Sequence, residues 1–294
     1  MARAARLRTF ALLAVLGAAS AGCSGFFYFP ERRALGEPRQ PFQEVRIPTR
    51  DGLTLSGWFF PAQGDARGTI VQFHGNAGNV TSHFRQLAWV TRYGYSLLTF
   101  DYRGYGQSPG EPSQPGLELD ALAAIDFAER LPRARAEPDL VLYGQSLGGA
   151  VLLHAYASVR ERSRVRALVV ESTFHSYQEA AASVCWRTPV LLPFTGFAYA
   201  WVSDAYAPSP VIGSVAPTPL LVIHGDHDEV VPVAFGYAIY RQAREPRELW
   251  IVPGGGHVEA MRRVDFRARL IAYLERPALT TSGSCSSATA RSAP

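Results

Sequence analysis

Lysine is missing altogether: all 29 basic side chains of this 294-residue chain are arginine. That excludes chemistry needing a side-chain amine, including Schiff bases, serine–lysine dyads and the phosphate-gripping lysine of nucleotide-binding loops. Cysteine is scarce, with Cys23, Cys185 and Cys285 only. Neither of the last two has an upstream partner at metal-ligating spacing, so no metal is expected. Cys185 reads as a packed residue rather than a nucleophile, and its pairing with Cys285 in an oxidising compartment stays open. No internal repeat and no G-x-G-x-x-G fingerprint occurs. The uncharged run Thr9 to Gly22 is shorter than the roughly 20 residues a bilayer-spanning helix needs. Excess charge is small, +4, and the arginines are scattered rather than striped, which describes a solvated surface and no nucleic-acid partner.

What is present fits one large α/β domain, with 47% hydrophobic and 18% charged residues. At the N-terminus, Arg3, Arg6 and Arg8 precede the uncharged run and then Cys23, the architecture of an export signal. Ser20-Ala21-Gly22-Cys23 resembles the lipobox of bacterial lipoproteins, which implies acylation of Cys23 and anchoring in the cell envelope without a spanning helix. Ser24 resembles the outer-membrane sorting pattern. The competing reading is ordinary signal-peptidase cleavage, which leaves a periplasmic protein. The expected organisation is a signal segment over 1–23, a linker over 24–43, a domain over 44–277 with a cap at about 171–217, and a low-complexity disordered tail over 278–294.

Along the domain, 44–48 and 53–60 flank Arg50-Asp51-Gly52, a hairpin signal. Strands are expected at 68–73, 95–100, 139–143, 167–170, 219–223 and 249–252. Helices are expected at 80–92, 117–131, 148–159, 234–244 and 264–274. Short buried strands alternating with helices imply βαβ crossovers and a mainly parallel sheet covered on both faces. Ligands in such folds sit beyond the carboxyl ends of the strands.

The chemistry-bearing residues fall at those ends. Gly144-Gln145-Ser146-Leu147-Gly148 sets a serine between a strand and a helix. So tight a turn strains its central residue and places the hydroxyl at a helix N-terminus, where developing negative charge is favoured. A serine needs an imidazole to take its proton and a carboxylate to orient that imidazole. Asp226, Asp228 and Glu229 follow one strand, and His257 follows the next after three glycines. The order serine, acid, histidine differs from those of the chymotrypsin and subtilisin frameworks. Asp226-His227-Asp228 lacks the second histidine pair that would complete a metal site. His74 and His224 read as local loop organisers, His83, His154 and His175 as helix or cap residues.

With His74-Gly75-Asn76-Ala77-Gly78-Asn79, Asp101-Tyr102-Arg103-Gly104-Tyr105-Gly106, the turn around Ser146, His224-Gly225-Asp226-His227-Asp228 and Gly256-His257, the chain resembles the α/β-hydrolase superfamily. The likeness is to its single-domain esterase, thioesterase and serine-peptidase-like branch. It implies an α/β-hydrolase fold with a short cap insertion, Ser146 as nucleophile and His257 as base. It also implies Asp228 as the acid, with Asp226 the alternative and Glu229 a remote third. Backbone N–H groups of Asn76 and Leu147 form the oxyanion hole on this resemblance. The expected activity is cleavage of an ester, thioester or amide through an acyl-enzyme, with no cofactor, on a small-molecule or acylated substrate. An aminopeptidase-like serine peptidase and a catalytically silent envelope-anchored binding protein are the alternatives. Phe174, Tyr177, Trp186, Phe194, Phe197, Tyr199, Trp201 and Tyr206 give the cap an aromatic character that suits either an acyl group or core packing.

Overall fold

Thr49 shapes the first turn of the domain by bonding forward along the chain: its hydroxyl donates to Asp51 and accepts from the Leu53 N–H. Gly52, at φ 89°, closes the hairpin because a left-handed position costs glycine no Cβ clash. The computed structural model describes residues 28–276, apart from 135, 137, 138 and 188. The expected signal segment with Cys23 and the tail with Cys285 lie outside the described residues.

Ten strands occur among these: β1 (Phe29–Pro30), β2 (Gln43–Pro48), β3 (Thr54–Phe60), β4 (Gly68–Phe73), β5 (Ala77–Gly78), β6 (Tyr95–Phe100), β7 (Leu140–Gln145), β8 (Val165–Glu171), β9 (Leu220–Gly225) and β10 (Arg247–Val252). The helices are α1 (Val80–His83), α2 (Gln114–Glu129), α3 (Leu147–Tyr156), α4 (Tyr177–Arg187), α5 (Thr195–Trp201), α6 (Val233–Gln242) and α7 (Val264–Leu274). The main sheet runs β10-β9-β8-β7-β4-β6-β3-β2. Its pairs are parallel except at β2–β3 and β3–β6. The chain thus has the α/β-hydrolase fold, a mainly parallel sheet with helices on both faces.

Period-2 alternation divides the core into two layers. Val71, Phe73, Leu98, Phe100, Leu140 and Leu142 join α2, α3 and α6 on one face. Ile70, Tyr95, Leu97, Val141 and Tyr143 join α7 and the segment after α1 on the other. Strands covered on both sides have no solvent face to mark with polar residues, so β4, β6, β7 and β9 are buried throughout.

β1, β5 and the cap helices α4 and α5 were not expected, the region 171–217 reading as irregular, and two further departures have a local cause. The helix expected over 80–92 keeps its α form only to His83, after which tighter three-residue turns continue to Tyr93. There the Trp89 indole donates to the Gln86 carbonyl and the Thr91 hydroxyl to that of Ala88. Side chains that satisfy carbonyls three residues back compete with the α-helical ladder. Helix α2 starts earlier than its apolar spacing indicates, because Ser113 caps it through the Gly116 N–H and Pro115 lies in its first turn.

Candidate active site

Strand β7 ends at Gln145 and α3 begins at Leu147, so the chain reverses within Ser146. That residue carries φ 52° and ψ −123°, a conformation a non-glycine residue holds only when its surroundings impose it. They do so by crowding. A Cβ on Gly148 would lie 2.1 Å from the Phe73 carbonyl oxygen, and one on Gly144 2.5 Å from the Gly149 Cα. Only bare backbone lets α3 approach this closely. The Ser146 N–H donates to the Glu171 carbonyl at 2.9 Å and its carbonyl accepts from the Thr173 hydroxyl at 2.6 Å, which hold the turn from the neighbouring strand end.

The hydroxyl faces His257. Oγ of Ser146 lies 3.0 Å from Nε2, and Nδ1 lies 2.8 Å from Oδ2 of Asp228. Burial works to raise the Asp228 carboxyl, but hydrogen bonds from His224, His257 and the Val231 N–H outweigh it and hold it well below its ordinary value. An ionised carboxylate can only accept. Nδ1 of His257 therefore carries the proton, and Nε2 presents a lone pair to the serine hydroxyl. Oδ1 of Asp228 accepts from the N–H groups of Val230 and Val231 at 2.9 and 2.8 Å, so both oxygens are committed.

The other acids stand elsewhere. Asp226 accepts from the Gly254 N–H and contacts the His227 ring, each at 2.7 Å, tying down the loop that leads to His257. Glu229 is exposed. The Asp226-His227-Asp228 run splits accordingly, one carboxylate toward each side of its loop. His74 is fully buried, with Nδ1 2.7 Å from the Gly75 carbonyl and its ring stacked on His83. Burial, with the nearby His83 charge, pushes it down to about 3, so it stays neutral. Nε2 of His224 sits 2.9 Å from the Val231 carbonyl. Both rings hold their loops, as local organisers do.

Asn76 and Leu147 bracket the serine. A Cβ on Gly75 would come within 3.4 Å of the Ser146 Cβ, so the 74–76 loop runs alongside the hydroxyl, while Leu147 opens α3 directly after it. In the cap, Phe174 and Tyr177 are buried in the core, whereas Trp186, Tyr199 and Trp201 are exposed. The Phe194 and Phe197 side chains lie outside the described residues. Burial pushes the Cys185 thiol up, away from nucleophilic thiolate.

Sequence reasoning gives Ser172 no site role and weighs Glu171 only as a cap acid for a substrate amine, yet both steer the histidine. Ser172 Oγ accepts from the Val258 N–H at 3.1 Å and Glu171 Oε1 from the Ala260 N–H at 2.9 Å, gripping the loop just beyond His257. Glu171 is fully buried, and desolvation raises its carboxyl despite hydrogen bonds from Gln145, Tyr143 and Ala260. Its one sequence signal was position, at the end of the strand that follows the one leading into Ser146.

Comparison with known proteins shows which family the chain is similar to. Residues 64–212 match the family described as serine aminopeptidase, S33. The uncharacterized protein YfhR of Escherichia coli (strain K12) is 36% identical over 240 residues, 80% of each chain. Rv2307c of Mycobacterium tuberculosis is 30% identical over 271 residues, 86% of this chain and 89% of that one. Among solved structures, the Pyrococcus furiosus esterase Pf2001 superposes with a TM-score of 0.69 at 21% identity, covering 86% of this chain and 98% of its own.

Proposed function

This chain belongs to the serine aminopeptidase S33 family of α/β hydrolases, and from that premise we propose that it is a serine acyl hydrolase acting on an ester or thioester. The observation that carries the proposal is the unbroken line from Ser146 Oγ through both nitrogens of His257 to an ionised Asp228. In the first half-reaction Nε2 takes the hydroxyl proton as Oγ bonds to the substrate carbonyl carbon. The carbonyl oxygen becomes an oxyanion stabilised by the N–H groups of Asn76 and Leu147, where one such donor is worth about 3 kcal/mol of barrier. As the tetrahedral centre collapses, His257 returns the proton to the leaving group. Water then repeats the sequence on the acyl-enzyme, releasing the acid and restoring Ser146. No cofactor enters these steps.

Against aminopeptidase activity stands the fate of the cap's acids, since an N-terminal amine needs a carboxylate within reach. Glu171 is spent on Tyr143, Gln145 and the Ala260 N–H. Asp204 is spent on the Ser176 hydroxyl and the Gln178 N–H. Glu179 is half-exposed beside His175. The experiment is fluorophosphonate labelling with turnover of p-nitrophenyl esters of increasing chain length and of aminoacyl anilides. Labelling lost in Ser146→Ala, with esters turned over, is expected. Anilide turnover alone would point to a peptidase, and folded protein that neither labels nor turns over to a binding protein.

The envelope anchor belongs to the same proposal. Cys23 precedes Tyr28 by five residues, a reach of about 17 Å at full extension. A lipid there would hold the catalytic face close to a bilayer and to acylated substrates. Palmitate labelling of cells checks this: label should reach the natural chain and be lost in Cys23→Ala, and label retained by that variant contradicts the anchor.

A further inference from the structure

Asn76 supplies its backbone N–H to the oxyanion hole in the function proposed above, and the role inferred for its neighbours rests on that reading. The loop carrying Asn76 is intrinsically slack. His74-Gly75-Asn76-Ala77-Gly78 holds two glycines in five residues, and Gly78 sits at φ 92°. A catalytic donor, however, has to stay within about 0.5 Å of its working position. The stiffness is imported from two distant pieces of chain.

The first is the lead-in segment, of which residues from Tyr28 onward are described. The Phe29 N–H donates to Asn76 Oδ1 at 3.0 Å. Strand β1 then pairs in parallel with β5, Phe29 opposite Ala77 and Pro30 opposite Gly78. The Asn79 carboxamide donates to the carbonyls of Glu31 and Arg33, each at 2.8 Å, and the Leu35 N–H donates to Thr81 Oγ1 at 2.8 Å. Tyr28 is buried in the main core, which roots the segment. The second piece is the 101–111 loop. Its Tyr105 hydroxyl donates to the same Asn76 Oδ1 at 2.8 Å, and its Gly106 N–H donates to the Glu31 carbonyl at 3.0 Å, locking the two pieces together.

We propose that Tyr105 and the Phe29 N–H are positioning groups for the oxyanion hole: they clamp the Asn76 carboxamide from two sides and thereby hold its peptide N–H on the developing oxyanion. The lead-in is then part of the catalytic apparatus rather than a tether. Neither group touches substrate. Their loss should therefore lower the rate of acyl transfer and leave ground-state binding nearly unchanged.

The test uses the full chain, with kcat expressed per fluorophosphonate-titrated site so that misfolded molecules do not count. Tyr105→Phe deletes the hydroxyl and keeps the buried ring, and Phe29→Pro deletes the N–H. Each is expected to lower kcat about 10-fold, part of the 10²–10³-fold that losing a donor outright costs. KM should stay within about threefold, and affinity for phenylboronic acid, whose serine adduct places an oxygen in the hole, should weaken in parallel. Undiminished kcat in Tyr105→Phe, or a loss carried by KM with boronate affinity unchanged, overturns the proposal. If Phe29→Pro does not fold, Tyr105→Phe decides alone. A natural chain that neither labels nor turns over esters refutes the hydrolase reading itself, and this inference with it.

Discussion

At the scale of the residue, the two aspartates of one short loop differ in what their oxygens face. Asp228 accepts two backbone N–H groups on one oxygen and the imidazole on the other, whereas Asp226 braces Gly254 and the partly solvated His227. Under the proposed mechanism, Asp228→Asn puts an amide where one oxygen now accepts, which disfavours the productive tautomer of His257. Its kcat for p-nitrophenyl esters should fall by about 10⁴-fold. Asp226→Asn keeps a carbonyl oxygen for Gly254 and should lose less than about tenfold. Steady-state kinetics of the pair checks both, and equal losses would contradict the assignment. From sequence, both aspartates follow the same strand end within a few residues, and family resemblance alone favours Asp228. In the structure, the direction of each carboxylate separates them.

At the scale of the element, the strand–turn–helix unit works because α3 lies against the backbone of β4. Gly148→Ala would drive a Cβ against the carbonyl oxygens of Phe73 and His74, 2.1 and 2.4 Å away. Backbone in a central strand cannot retreat as a side-chain end can. Chemical denaturation should show a loss of about 3 kcal/mol, with ester turnover reduced in the folded fraction because His74 and Gly75 adjoin the serine. Gly254→Ala, at a position where nothing approaches the new Cβ but φ is 65°, should cost about 1 kcal/mol. The strands and most helices were legible because their periodicity is set by the layers they contact. The three-residue turns after α1 were not, since Phe84, Leu87 and Val90 carry apolar spacing that suits either kind of helix.

At the scale of the molecule, titratable groups buried beneath the sheet end make stability depend on pH. His74, ordinarily near 6.5, is lowered to about 3 by burial and by His83. The unfolded chain therefore binds more protons between about 3 and 6.5, and this stability is lost as pH falls through that window. Asp101, ordinarily near 3.8, is raised to about 7 by burial, against hydrogen bonds from the N–H groups of Val80 and Gln107. It holds more protons in the folded state between about 3.8 and 7, so its contribution is lost as pH rises. The two oppose each other over nearly the same range, with Nε2 of His74 3.8 Å from Asp101 Oδ1. Asp101→Asn removes one side of the balance. Denaturant midpoints of that variant should fall more steeply than those of the natural chain from pH 6.5 to 4, and a parallel or shallower fall would contradict the opposition.

The amino-acid sequence by itself determined the layered α/β architecture, through strands apolar on both faces, and it singled out Ser146, His257 and, by family resemblance, Asp228. Strand-end acids, a glycine-framed serine and a histidine in a glycine run are local signals that survive without any fold. Tertiary structure alone decided how the two oxygens of Asp228 are shared between the imidazole and backbone N–H groups, that Glu171 and Ser172 grip the loop beyond His257, and that Tyr28 to Leu35 clasp the loop at Asn76. Those contacts run largely through backbone N–H and carbonyl groups, which every residue carries alike, so they leave no trace in the order of side chains and exist only once distant segments are brought together.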